Sequence, residues 1–204
     1  QITEVMLEYD PELDQMLFYL PLSGSAFKKI YYDETLNRAV AKFITSEDLV
    51  VPYETTDLLS ATRITHMVRM NTNDVRKLQQ RGFYRDIELK ASPEDESAIT
   101  EKVDELEGVR PTYYMTSDTM TILECHIDLD LPGFEDVGDD GEPTGIQLPY
   151  IVTMEEGCSQ ILSIRRNWEE TDSLKNKKQY FVHYKFLPGL GFYGFGLIHM
   201  VGGL

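Results

Sequence analysis

With 204 residues, 42% of them hydrophobic and 11% aromatic, the chain has globular composition and enough length for one large domain or two small ones. A net charge of -16 opposes general binding to nucleic acid, which depends on Lys and Arg neutralising phosphates, and no apolar run approaches the roughly 18 residues of a membrane helix. Cys125 and Cys158 are too few for a disulfide framework and too far apart in sequence for a CxxC metal or redox site, so a reducing compartment is the simpler reading.

Gln1-Ile2-Thr3-Glu4 has neither a basic n-region nor an apolar h-region, so no signal peptide is expected. The missing initiator Met and the abrupt Gly202-Gly203-Leu204 end are those expected of an excised piece. Ile2, Val5, Met6 and Tyr9 share one face of an expected first helix. Asp10 and Pro11 supply an N-cap and an N1 proline for a second, with Leu13, Met16, Leu17 and Leu20 as its apolar stripe and Pro21 as its stop. After Ser23-Gly24-Ser25, strands are expected over 27–32, 39–44, 49–53 and 62–70, the first two joined by a hairpin connection at 33–37.

The spacing then predicts a helix over 72–81, with Asn71 or Thr72 as cap, Asp74 in the first turn, and Val75 and Leu78 facing inward. Gly82 fits C′, and Phe83 falls where a Schellman motif places its apolar contact to Leu78. Ser92-Pro93 starts a further helix that carries Ile99, Val103 and Leu106, with Gly108 just beyond its end and acidic residues on its other faces. From Thr119 the period becomes two: Leu123, Cys125, Ile127, Leu129 and Leu131 form the apolar face of a half-buried strand, and Glu124, His126, Asp128 and Asp130 the polar one. Beyond a Gly/Asp/Glu-rich loop at 133–145, strands over 147–154, 160–167 and 178–187 complete a meander, the last with Tyr180, Val182, Tyr184 and Phe186 on one face. No internal repeat is present. Scattered helices with clustered strands predict an α+β fold, mostly antiparallel β-sheet with several short helices.

Each candidate for chemistry fails on context. Gly189-Leu190-Gly191-Phe192-Tyr193-Gly194 has the GxGxxG spacing of dinucleotide-binding turns, but no early βαβ unit surrounds it and too little chain follows for the ribose-binding acid. A sharp bend with aromatic anchors is expected instead. Asp128, Asp130 and Gly133 match three EF-hand positions, yet Pro132 and Asp139 stand where two further ligands belong, and both aspartates belong to the strand. Asp136, Asp139, Asp140 and Glu142 would collect at most a weak cation in a solvated, mobile loop. His126, Asp128 and Asp130 share a strand face, which is only alternation around one histidine. His66, on the face of Ile64, Val68 and Met70, reads as a half-buried, hydrogen-bonded histidine, and His183 and His199 stand alone. Cys125 is expected to be a buried, unreactive core residue, and Cys158 lies beside Glu155 and Glu156 without the positive surroundings that lower a thiol pKa. Lys175, Lys177 and Lys178, with Arg165 and Arg166 nearby, form a basic cluster that Glu169, Glu170 and Asp172 can neutralise. No GxSxG or HExxH motif occurs. No catalytic residue, cofactor or metal site is therefore expected. Two rival readings follow from the same residues: an acidic binding module whose 133–145 loop orders around a cation, and a hydrolase using His126 with Asp128 or Asp130.

The run Leu148-Pro149-Tyr150-Ile151-Val152-Thr153, then Ile161-Leu162-Ser163-Ile164-Arg165-Arg166-Asn167-Trp168, then residues 180–196 (Tyr180-Phe181-Val182-His183-Tyr184 through Gly194-Phe195-Gly196) resembles the large portal proteins of short-tailed bacteriophages. Asp14-Gln15-Met16-Leu17-Phe18, Gly24-Ser25-Ala26-Phe27-Lys28-Lys29, Glu47-Asp48-Leu49-Val50-Val51-Pro52-Tyr53, Arg63-Ile64-Thr65-His66 and Gly82-Phe83-Tyr84 extend the resemblance over nearly the whole chain. The resemblance implies a structural subunit of a dodecameric ring at the portal vertex of the virion, assembled in the host cytoplasm. Its partners would be further copies of the subunit, terminase, capsid or scaffolding proteins and tail adaptors. Double-stranded DNA would pass through the channel without sequence-specific binding, and no membrane would be involved. The chain would be one wing-like region over 1–204, subdivided into a mixed part (1–118), a meander (119–187) and a Gly/aromatic tail (188–204). The family's long stem helices are absent from this sequence and are expected to follow Leu204 in the parent reading frame.

Overall fold

The computed structural model describes residues 9–33, 36–89, 119–138 and 140–202. The expected helices carrying Ile2, Val5 and Met6, and Ile99, Val103 and Leu106, fall outside these residues. In chain order the elements are α1 (Tyr9–Ser23), β1 (Ser25–Asp33), β2 (Arg38–Ile44), β3 (Leu49–Val50), β4 (Arg63–Asn71), α2 (Thr72–Gln80), β5 (Thr119–Leu129), β6 (Leu148–Glu155), β7 (Ile161–Arg166), β8 (Phe181–Lys185) and α3 (Leu197–Val201). They form two antiparallel sheets, three strands in the order β2-β1-β8 and five in the order β3-β4-β5-β6-β7, so the fold is α+β. The chain divides into two compact units, one of Gln1–Met67, Glu124–Val152 and Ile164–Leu204, the other of Val68–Leu123 and Thr153–Ser163. Strands β4 to β7 each contribute residues to both.

In the first unit α1 runs straight through Pro21. A proline in the last turn removes one intrahelical hydrogen bond without stopping the helix. The stop is Gly24, at φ +86°, whose N–H donates to the Leu20 carbonyl at 2.9 Å. A side chain there would be strained by the backbone and would also overlap the main chain of Phe195 and Gly196. Of the expected apolar stripe of α1, Met16 is buried and Leu17 is not. Strands β1 and β2 form the expected hairpin, with Asp33 opposite Arg38 and Asn37 in the left-handed region at φ 51°. The main-chain N–H of Phe43 on β2 donates to Glu12 Oε2 of α1 at 2.6 Å, so a helix carboxylate satisfies a strand donor that has no sheet partner.

Strand β8 departs from the expected meander. The consecutive run ends at β7, and β8 pairs with β1 in the other sheet, Phe27 opposite His183. Along it Phe181 is buried and Val182, on the other face, is exposed. Phe181 joins Phe27, Ile44, Leu49, Leu58, Ala61, Ile64 and Phe192 in the core of this unit.

In the second unit α2 follows the expected caps. Asn71 Oδ1 accepts from the Asn73 N–H at 2.8 Å. At the other end Gly82 and Phe83 donate to the Gln79 and Leu78 carbonyls, each at 2.9 Å, which is the paired pattern of a Schellman motif. Val75 packs with Met120, Ile122 and Leu162. Gln79, also buried, donates through Nε2 to the Arg85 and Ile87 carbonyls at 3.1 and 2.8 Å, so the polar residue on the inner face ties down the segment after the helix.

Candidate functional site

Period-two alternation states which residues of β5 share a face, and the tertiary fold decides which face is covered. Here the expected orientation is inverted. Met120, Ile122 and His126 are buried, His126 at 4% exposure, while Cys125 is only half-buried and its Sγ accepts from Thr65 Oγ1 at 3.7 Å. The polar face of the strand is therefore the inner one, and Glu124 enters the first unit beside His126. A buried carboxylate is costly unless paired and hydrogen-bonded. Both conditions are met. Lys29 Nζ of β1 donates to Glu124 Oε1 and Oε2 at 2.6 and 2.8 Å, with side chains 13% and 16% exposed, and His126 Nε2 lies 2.7 Å from Oε1.

The protonation states follow from these contacts. Burial pushes the Glu124 carboxyl up, but the His126 hydrogen bond and the Lys29 charge outweigh it and hold the group well below the usual carboxylate range. Burial lowers the His126 pKa, against the Glu124 hydrogen bond and charge that raise it, and Lys29 and Arg165 add to the lowering. At neutral pH the imidazole is thus uncharged and donates Nε2–H to the carboxylate. His66 of β4 lies beside this group. Burial and the Lys29 charge lower its pKa to about 4, and its buried Nδ1 has no hydrogen-bond partner among the described residues. The Phe181 ring stands between the two histidines, 5.0 Å from the His126 ring and 5.9 Å from that of His66. The cluster is charge-balanced, Lys29 against Glu124, with two neutral rings.

The carboxylate of His126 is thus Glu124 and not Asp128 or Asp130, and the arrangement is enclosed by the Tyr180 and Phe181 rings. Lys29 and Glu124 escape a sequence reading as site residues because a charge in a strand reads as a solvent-facing position, and Lys29 follows a second lysine, Lys28. The signal available was that Glu124 shares the polar face of its strand with His126.

The other candidates are dispersed into structural roles. Around Asp136 the acidic loop is folded by a Val137–Pro143 bridge, by Gly138 N–H donating to the Glu142 carbonyl at 3.0 Å and by Thr144 N–H donating to that of Asp136 at 2.8 Å. The Asp136 carboxylate accepts from Thr144 Oγ1 at 2.7 Å and pairs with Lys175. Asp139 lies outside the described residues. Among the described residues no group of three or more His, Cys, Asp or Glu could hold a metal ion. The basic cluster does not converge: Lys175 goes to Asp136, Lys177 donates to the Ala61 carbonyl at 3.0 Å, Lys178 pairs with Glu169 at 2.6 Å, and Arg166 lies over the Trp168 ring at 5.7 Å. Cys158 sits in the β6–β7 turn, where its N–H donates to Glu155 Oε2 at 2.6 Å. Burial and then that carboxylate raise its thiol pKa.

The glycine-rich tail is the expected bend. Side chains at Gly189, Gly194 and Gly196 would overlap main-chain atoms of Tyr193, Gly24 and Leu22 respectively, and Leu187 bridges to Phe195. Phe192 is buried and stacks on Phe27 at 5.8 Å, and the Tyr193 hydroxyl donates to the Leu49 carbonyl at 3.1 Å. His183 stacks against both Phe27 and Phe192, at 4.4 and 4.7 Å, and burial lowers its pKa to about 4. Ser25 Oγ accepts the Gly194 N–H at 2.8 Å and lies 3.1 Å from His183 Nε2, so one hydroxyl joins β1, β8 and the tail. No protein-family model matches the chain, and no curated protein matches it.

Proposed function

We propose that the chain is a structural part of the portal subunit of a short-tailed bacteriophage, lying in the peripheral wing of the ring, and that it performs no catalysis. The observation that carries this reading is the apolar surface left on α1 and α3, two elements of the first unit that pack on each other. Leu17 and Phe18 of α1 are 54% and 76% exposed, and Ile198 and Val201 of α3 are 62% and 61% exposed. Clustered exposed apolar side chains mark association surfaces. The titratable groups that enzymes would expose are instead spent inside the fold, the Lys29–Glu124–His126 cluster above all. The resemblance of the Gly/aromatic tail to portal proteins supplies the identity of the assembly: a dodecameric ring contacting terminase, capsid or scaffolding proteins and tail adaptors. A charge of -16 per chain keeps the surface from holding DNA.

The test is assembly of the parent reading frame. Electron microscopy of the longer polypeptide is expected to show a twelve-membered ring, and Phe18→Asp with Ile198→Asp is expected to leave folded, smaller species. A parent protein without helical sequence beyond Leu204, or one that stays monomeric, refutes the reading.

A further inference from the structure

Inside the first unit, the buried cluster occupies the seam between the two sheets. Lys29 and Phe181 belong to the three-stranded sheet, and His66, Glu124 and His126 to the five-stranded one. The Phe181 ring has His126 at 5.0 Å, His66 at 5.9 Å and Lys29 Nζ at 5.8 Å. We infer that this seam is an acid-operated latch: closed while both histidines are neutral, it parts with the uptake of two protons, one on His66 and one on His126, freeing β1 and β8 from β4 and β5.

The charge balance requires it. Closed and neutral, the seam holds one cation, Lys29, against one carboxylate, Glu124. Of the charged and titratable groups that act on His126, Glu124 on β5 favours its protonation, while Lys29 on β1 and Arg165 on β7 oppose it. For His66 the favourable groups are Glu124 and Asp48, which precedes β3, and the opposing ones are Lys29 and His126 itself. Tyr180 and Phe181 close the remaining side with rings only. Protonating both rings in place leaves three cations around Phe181 against the one carboxylate, in a site largely withdrawn from water. Opening exposes both rings together, so the open state takes up both protons while the closed one holds neither. Once the sheets part, both imidazoles reach water and titrate near their ordinary value of about 6.5. Linkage then makes the opening equilibrium grow by up to about 100-fold per pH unit between the ordinary value and the depressed one, against about tenfold for a single histidine.

Hydrogen exchange at the amides of β1 and β8, corrected for intrinsic rates and followed from about pH 7 to about pH 5, tests the latch. The variants are His126→Gln, which keeps a donor toward Glu124 but cannot titrate, His66→Phe, which keeps a ring against Phe181, and their combination. His183 on β8 contributes the same background to all four proteins. The logarithm of the opening constant in the unaltered protein is expected to be steeper in pH than in the double variant by nearly two protons, and each single variant by nearly one. Equal slopes in the unaltered protein and the double variant overturn the proposal. Titration of the imidazole resonances in the native protein gives a second measure that needs no variant: both rings must titrate below the ordinary value, and a native His66 or His126 titrating near about 6.5 also overturns it.

Discussion

Replacing Lys29 by methionine keeps an apolar stem of similar length and removes the ammonium that bonds both oxygens of Glu124. Breaking one side of a buried ion pair costs about 3–5 kcal/mol, because the remaining charge stays desolvated. Here His126 still bonds the carboxylate at 2.7 Å, so a loss of about 2–4 kcal/mol at pH 8 is expected. The same change removes a charge that lowers the His126 pKa while leaving Glu124, which raises it. His126 is then the remaining partner of Glu124, and its folded-state pKa rises from its depressed position. A depressed folded pKa contributes stability that is present above the unfolded pKa and lost as pH falls toward the folded one, so relieving the depression reduces that loss. Lys29→Met is therefore expected to be less destabilising at pH 6 than at pH 8, by up to about 1 kcal/mol. Urea unfolding of both proteins at the two pH values measures the difference. A pH-independent loss, or one larger at pH 6, refutes the reasoning that Lys29, Glu124 and His126 share one proton balance.

In the unaltered protein His66, with its pKa lowered to about 4, works in the same direction as His126. Its contribution is complete above about pH 6.5 and is lost as pH falls toward 4, about 3 kcal/mol in all, so the His66→Phe variant should show a flatter decline in unfolding free energy over that range. Gly24→Ala introduces a side chain at φ +86° and against the main chain of Phe195 and Gly196; a loss of more than about 3 kcal/mol is expected, read as a lowered thermal midpoint. Asn71→Ala removes the α2 cap and is expected to cost about 1 kcal/mol in urea unfolding. Glu155 accepts the Gly157 and Cys158 N–H groups at 2.9 and 2.6 Å, so Glu155→Gln should loosen the β6–β7 turn and, by removing a charge that raises the Cys158 pKa, speed its labelling by a thiol reagent at pH 8.

The amino-acid sequence by itself determined what depends on neighbours a few residues apart. The caps of α2, its Gly82 exit and the Asp33–Arg38 hairpin are closed by hydrogen bonds within short spans, so residue type and spacing suffice for them, whereas the bend at Gly189 to Gly196 is legible only in its Gly189 turn, since Gly194 and Gly196 are required by the approach of Gly24 and Leu22. The identity of the two residue sets along β5 was equally legible, because a strand alternates faces whatever surrounds it. Which set lies inside was not. Lys29, some 95 positions away in sequence, is what allows Glu124 to be buried, and Phe181 is what covers His126. The place of β8 depended likewise on β1, which pairs with it across most of the chain, while the apolar stripe of α1 was left exposed at Leu17 because the helix packs against its strands through Met16. A strand's inner face, a histidine's charge and the partner of a buried carboxylate are set by contacts between distant residues, and those exist only once the sheets have come together.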